Sequence, residues 1–214
     1  MSPGYYWQVW NEPNIRNYWL PEPNAAEYGA MLRGVSASLK RASSQVRVVS
    51  AGLPWPAEGV QADMYLYRLL GVSGVKAAVD VFAIHPYARQ VSMPGQEDVM
   101  DRIAQARNVL VSRGAGAKSM WISEIGWATG TRDGRFTVTE RQQRDNLDEL
   151  YRRVLSIRRS YRLLGAIWFS FKDERTQPGH AGYWGLNSGL FHSGGMRYPK
   201  PSWHRLRYRA LNGY

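Results

Sequence analysis

Apolar positions along the chain follow two alternating rhythms. Five short runs are almost continuously apolar: residues 5–10 (YYWQVW), 46–51 (VRVVSA), 79–84 (VDVFAI), 120–123 (MWIS) and 166–170 (AIWFS). Such runs predict parallel strands covered on both faces. Between them, apolar residues recur every three or four positions, as on a helix that buries one face. Tyr28, Met31, Leu32, Val35 and Leu39 form one stripe, introduced by Asn24-Ala25-Ala26-Glu27, which has the form of a capping box. Val99, Ile103, Ala106 and Leu110 form a second, which stops at Gly114. Thr139 with Gln142 opens a third, with Leu147, Leu150, Tyr151, Val154 and Tyr161 on its inner face. A shorter helix is expected over 64–70, and Pro201 suits the first turn of a last one.

Five strand-then-helix units, with no internal repeat and no obvious linker, predict an α/β fold with a parallel sheet and a single domain over residues 1–214. An open doubly wound sheet and part of an eightfold barrel both satisfy the pattern. In either one, ligands bind at the C-terminal ends of the strands. What each strand delivers there is therefore the useful question. The first delivers Asn11-Glu12-Pro13, the third His85-Pro86-Tyr87, the fourth Ser123-Glu124 and the fifth Trp168. Taken singly, each has a structural reading. An acid before proline suits a strand-to-helix turn, His85 and Tyr87 suit a strand mouth, and Trp168 suits a core. Glu124 is harder to explain so. It interrupts the apolar run 120–127, where an ionised carboxylate costs several kcal/mol unless it is paired or has a task.

Composition narrows the chemistry. With 44% hydrophobic and 21% charged residues, the chain is of ordinary globular type. It has no cysteine, so disulfides, thiolate metal sites and cysteine nucleophiles are excluded. Its histidines lack a metal-binding spacing, and no cofactor motif is present: neither metal nor cofactor is expected. Gly114–Ser119 (GAGAKS) has the wrong spacing for a phosphate loop and precedes a strand. The net charge of +11 could serve a nucleic-acid partner, but Arg152, Arg153, Arg158, Arg159 and Arg162 read as solvated helix faces without a binding motif beside them. No run is long and apolar enough to span a membrane, and no signal segment opens the chain. Nucleic acid and membrane are therefore not expected partners.

Two carboxylates at the mouth of a parallel sheet, walled by aromatic rings, fit glycoside hydrolysis. That reaction needs one acid to protonate the leaving oxygen and a second carboxylate at the anomeric carbon. Nine tryptophans and thirteen tyrosines suit the apolar faces of sugars. The motifs WQVWNEPN (7–14), HPY (85–87), WISEIGWAT (121–129) and WFSFKD (168–173) resemble successive strand ends of clan A glycoside hydrolases, among them the cellulase-like family 5 and the β-xylosidase-like family 39. The tail WGLNSGLFHSGGMRYPKPSWHRL (184–206) is similar to the clan's closing segment.

The resemblance spans nearly the whole chain and implies a retaining (β/α)8-barrel enzyme acting on β-glycosidic bonds in an oligo- or polysaccharide. It implies Glu12 as general acid/base and Glu124 as nucleophile, with carboxyl groups ~5–5.5 Å apart in a retaining pair. By the same resemblance Asn11 binds the sugar 2-hydroxyl, Tyr87 hydrogen-bonds the nucleophile, His85 lines the site, and Trp168 is the platform under the sugar. In this clan the acid/base ends the fourth strand and the nucleophile the seventh. The five strands thus correspond to strands four to eight, an incomplete barrel lacking the first three and an early arginine and histidine. Two expectations follow: a sheet whose first and last strands do not pair, and self-association through its unpaired edges. The alternative is a catalytically impaired fragment or a carbohydrate-binding protein without turnover.

Overall fold

The computed structural model describes residues 5–89, 91, 98–130, 136–174 and 184–213. Five strands form the main sheet: β1 (Tyr5–Gln8), β2 (Val46–Val49), β3 (Val81–His85), β4 (Ser119–Ile125) and β5 (Leu163–Trp168). They lie side by side in chain order, parallel, with β1 and β5 at opposite ends of that order. A two-residue strand, Leu53–Pro54, adds to β3 in parallel register, Pro54 opposite His85. This is an α/β fold consistent with an incomplete (β/α)8 barrel. Helices α1 (Ala25–Ala42), α2 (Ala62–Leu69), α3 (Val75–Ala78), α4 (Val99–Ser112), α5 (Glu140–Ile157) and α6 (Pro201–Asn212) separate and follow the strands. Among the described residues, no helix is long and apolar enough to cross a membrane.

The chain divides into two compact units. The first comprises Met1–Pro86, Arg102–Ser123 and Arg158–Leu164; the second comprises Tyr87–Asp101, Glu124–Ile157 and Gly165–Tyr214. Valines 46, 48 and 49, the β3 residues Phe82, Ala83 and Ile84, and Met120 and Ile122 of β4 fill the core of the first. Tyr28 and Leu32 of α1, Tyr65, Leu66 and Leu69 of α2, and Ile103, Ala106 and Leu110 of α4 are buried with them. In the second unit, Leu147 of α5 packs with Leu190 and Phe191, and Trp168, Trp203 and Leu206 lean on that cluster. Ser202 Oγ donates to Gln143 Oε1 at 2.7 Å, and Gln143 Nε2 donates to the carbonyl of Trp127 at 2.8 Å. A polar thread therefore runs from α6 through α5 to the segment after β4.

Helix starts follow the caps read from the sequence. Asn24 accepts from the amides of Ala26 and Glu27, while Glu27 turns outward to accept from Trp19 Nε1 at 3.1 Å, so the box is half made. Thr139 and Gln142 complete theirs: the Thr139 amide donates to Gln142 Oε1, and the Gln142 amide to Thr139 Oγ1. Gly114 takes φ +70 two residues past α4, the left-handed stop that glycine permits. Pro201 opens α6.

Three expectations need correction. Strand β1 is exposed along its whole length, with Tyr5 64% and Trp7 55% accessible, because among the described residues it pairs only with β2. Its apolar run therefore does not report cover on both faces. The last strand begins at Leu163, three residues early, since Gly165 lies inside it with open space at its Cβ position rather than marking a turn. Tyr161 falls beyond the end of α5 in a turn and is not part of that helix face.

Candidate active site

The first unit carries Glu12 and His85. After β1 the amide of Val9 still donates to Val49 O, and then the backbone turns sharply. Trp10 adopts φ +73 and Glu12 φ +46. Left-handed backbone at non-glycine residues costs about 1–3 kcal/mol each and gathers at functional sites. Five hydrogen bonds hold the strained loop. The Glu12 amide donates to Gly52 O at 3.2 Å, and Ile15 closes a turn back to Glu12 O at 3.0 Å. Trp10 Nε1 donates to Tyr18 O at 2.9 Å. Asn14, fully buried, donates through Nδ2 to Pro54 O at 2.8 Å and Val60 O at 2.7 Å.

The Glu12 side chain is 12% exposed, and its Oε1 lies 2.8 Å from Nδ1 of the fully buried His85. On the other side of the ring, Nε2 lies 3.0 Å from Ser123 Oγ. Gly52 has to lack a side chain here, because a Cβ would lie 1.9 Å from His85 Nε2. Asn11 is half-buried and precedes Glu12 in the chain. Beneath the loop, the Tyr28 hydroxyl donates to Val9 O at 3.0 Å and accepts from the Ala51 amide at 2.6 Å. Burial pushes the Tyr28 phenol well above the ordinary tyrosine range.

The second unit carries Tyr87, Glu124 and Trp168. The Tyr87 hydroxyl donates to Glu124 Oε2 at 3.1 Å. Its ring is wedged between Phe136 and Phe169, with centroids 5.9 and 6.5 Å away. Glu124 is half-buried near the end of β4. Two residues on, Gly126 is required by close backbone approach: a Cβ would meet Phe169 O at 2.0 Å. Trp127 is fully buried, donates to Ala88 O at 2.9 Å, and lies 5.9 Å from Trp168, whose Nε1 donates to Ser188 O at 3.0 Å. A polar cavity of about 600 Å³, lined by Thr129, Glu140, Asp173, Asn187 and His192 among others, also belongs to this unit. At Asp173 the fully buried Lys200 donates 2.8 Å bonds to Asp173 Oδ1 and Thr129 Oγ1 and a 3.2 Å bond to Asn187 O.

Solved structures share this fold. The GH39 enzyme from Xanthomonas axonopodis pv. citri superposes with a TM-score of 0.67 at 16% identity, over 96% of this chain and 40% of that one. A monomeric β-xylosidase from Caulobacter crescentus CB15 gives 0.66 at 16%, over 95% and 41%. A GH128 endo-β-1,3-glucanase from Sorangium cellulosum gives 0.59 at 18%, over 89% and 64%. The likeness shows that this chain shares an incomplete (β/α)8-barrel fold with these structures. The chain spans about two-fifths of the length of the first two of these neighbours. No protein-family model matches the chain, and no curated protein matches it by sequence. Fold alone does not choose between the family 5 and family 39 resemblances.

Four residues of this architecture escaped sequence reading. Ser123 and Gly52 matter only through His85, which lies far from both along the chain. Tyr28 sits on a helical stripe that reads as core. Asn14 had a visible signal, an amide directly after the Glu12-Pro13 turn, but its carbonyl partners are 40 and 46 residues away.

Proposed function

We propose that this chain is a retaining β-glycosidase domain acting on an oligo- or polysaccharide, with Glu12 as general acid/base and Glu124 as nucleophile. One observation carries the reading: a single tripeptide at the end of β3 supplies a partner to each acid, His85 to Glu12 and Tyr87 to Glu124. In the first step Glu124 attacks the anomeric carbon while Glu12 passes its proton to the glycosidic oxygen. The C1–O bond breaks and a glycosyl ester to Glu124 forms. In the second, the ionised Glu12 takes a proton from water, the water oxygen attacks C1, and the ester breaks to release a sugar of unchanged configuration. The Tyr87 hydroxyl orients Glu124 for the attack. Asn11 is assigned to the sugar 2-hydroxyl, and Trp168 to the apolar face of the ring beside the scissile bond. A xylosidase and an endo-glucanase among the fold neighbours support a β-linked substrate.

Aryl β-glucosides and β-xylosides test the assignment. Glu124→Ala is expected to abolish turnover. Glu12→Ala should slow it by roughly 10²–10⁴-fold, most for poor leaving groups, with recovery of the second step on adding azide. Turnover that survives Glu124→Ala would overturn the nucleophile assignment, and glycan binding without hydrolysis would favour the carbohydrate-binding alternative.

A further inference from the structure

The proposed pair leaves Ser123 without a task. Ser123 is only 7% exposed, yet its hydroxyl stands 3.0 Å from His85 Nε2, and the other ring nitrogen stands 2.8 Å from Glu12 Oε1. Serine, histidine and carboxylate in this order have the connectivity of a hydrolytic triad. A triad serine, however, stands exposed on a sharp turn between strand and helix. Ser123 is buried within β4, so attack on a substrate is not its role.

Its geometry bears instead on the imidazole. A neutral imidazole has one N–H and one lone pair, and the partner of one nitrogen fixes which of the two the other presents. An ionised carboxylate only accepts, so Nδ1 must carry the proton toward Glu12, and Nε2 must then accept from the Ser123 hydroxyl. The ring has little freedom to turn away, since it is fully buried and Gly52 is packed against Nε2.

We infer that Ser123 is a positioning residue for the proposed acid/base: with Glu12 setting the Nδ1–H tautomer, the Ser123 hydroxyl donates to Nε2 and pins the ring, so that Nδ1–H holds Glu12 Oε1 and leaves Oε2 as the oxygen that carries and delivers the proton. The arrangement serves both charge states of Glu12. When Oε2 is protonated, Oε1 is a carboxylic carbonyl and still accepts from Nδ1–H. When Oε2 has given its proton away, Oε1 is part of a carboxylate and accepts the same bond. No ring flip or tautomer exchange is needed between the two steps, so the proton always leaves from the same position.

The catalytic consequence rests on the glycosidase reading, but the tautomer does not, and the experiment separates them. Nitrogen-15 spectra of labelled imidazoles are recorded for the wild-type chain, Ser123→Ala, Ser123→Thr and Gly52→Ala, with His85 assigned by its absence in His85→Gln. The wild type should show a protonated Nδ1 and an unprotonated Nε2. Ser123→Ala should keep that tautomer but shift the Nε2 resonance as its hydrogen bond is lost, Ser123→Thr should keep the wild-type Nε2 shift, and Gly52→Ala should perturb it by displacing the ring while every polar group remains. On an aryl β-glycoside, Ser123→Ala should lower kcat by up to about a hundredfold with little change in KM, as expected for a misplaced catalytic group, and Ser123→Thr should restore it. A wild-type His85 protonated on Nε2, or a spectrum unchanged in Ser123→Ala, would overturn the inference. If the spectra behave as expected but no form hydrolyses a glycoside, the tautomer assignment stands and the glycosidase reading fails.

Discussion

Tyr28 ties the backbone at the end of β1 to that after β2 through one phenol, at the root of the loop that carries Glu12. Tyr28→Phe removes both bonds and strands a buried amide and a buried carbonyl, each costly to leave unmade. The expected loss is about 1–3 kcal/mol by urea unfolding; a change under about 0.5 kcal/mol would show that the loop is held otherwise. Lys200 is the sharper case. Burial draws its pKa below the ordinary lysine range, while the bond to Asp173 opposes that shift. Lys200→Met leaves Asp173 buried without its cation and should cost about 3–5 kcal/mol; a variant as stable as wild type would mean that Asp173 finds another partner. At this scale the sequence exposed what stands at strand ends, since Glu12, His85, Tyr87 and Glu124 each follow an apolar run. It hid the partners that hold these groups from across the fold, among them Tyr28 and Asn14. Gly52 and Gly126 are glycines for steric reasons visible only once His85 and Phe169 O are in place.

Elements were legible where a local signal sufficed. Helices α1, α4, α5 and α6 could be read from caps, a terminal glycine or proline, and stripes of period 3.6, because those interactions lie within a few residues of each other. Strand β1 misled because an apolar run looks the same whether or not neighbours cover it. The pairing of α5 with α6 was also beyond reading: Arg209 Nε and Nη2 donate to the Asp148 carboxylate at 2.7 and 3.0 Å, across 61 residues. That hydrogen bond holds Asp148 below the ordinary carboxylate range, with the charges of Arg209, Arg205 and Arg152 adding to it and partial burial opposing. A carboxylate with a lowered folded pKa binds fewer protons folded than unfolded. Its stabilisation is complete above the unfolded value of about 3.9 and is lost as pH falls through the lower folded one. Wild type should therefore exceed Arg209→Ala in Tm by a constant margin from pH 7 to about 5, and the margin should shrink below about pH 4. A margin that instead grew on acidification would contradict this account of the pair.

For the molecule as a whole, the alternation of strands and helices carried the α/β class and the strand order, since each unit is local and sequential units tend to be neighbours. The incompleteness of the barrel came from the family resemblance, and the sheet agrees: β1 and β5 are not neighbours. Tyr5, Tyr6, Trp7 and Trp10 stand about half exposed or more along and after the edge strand. Such an apolar edge recruits other chains, so light scattering behind a sizing column should show mass rising with concentration. A monomer at all concentrations would contradict that expectation. Catalysis depends on holding groups to a fraction of an ångström, and turnover by these five strands is accordingly expected to be weak. The most direct test of the central claim is therefore one that accumulates slow events. An activated 2-deoxy-2-fluoro β-glycoside slows the second step, so the glycosyl ester persists for intact-mass and peptide-mass measurement. The account predicts one sugar bound per chain, on Glu124, and none in Glu124→Gln; a sugar on any other residue, or hydrolysis that releases the inverted anomer, would contradict it.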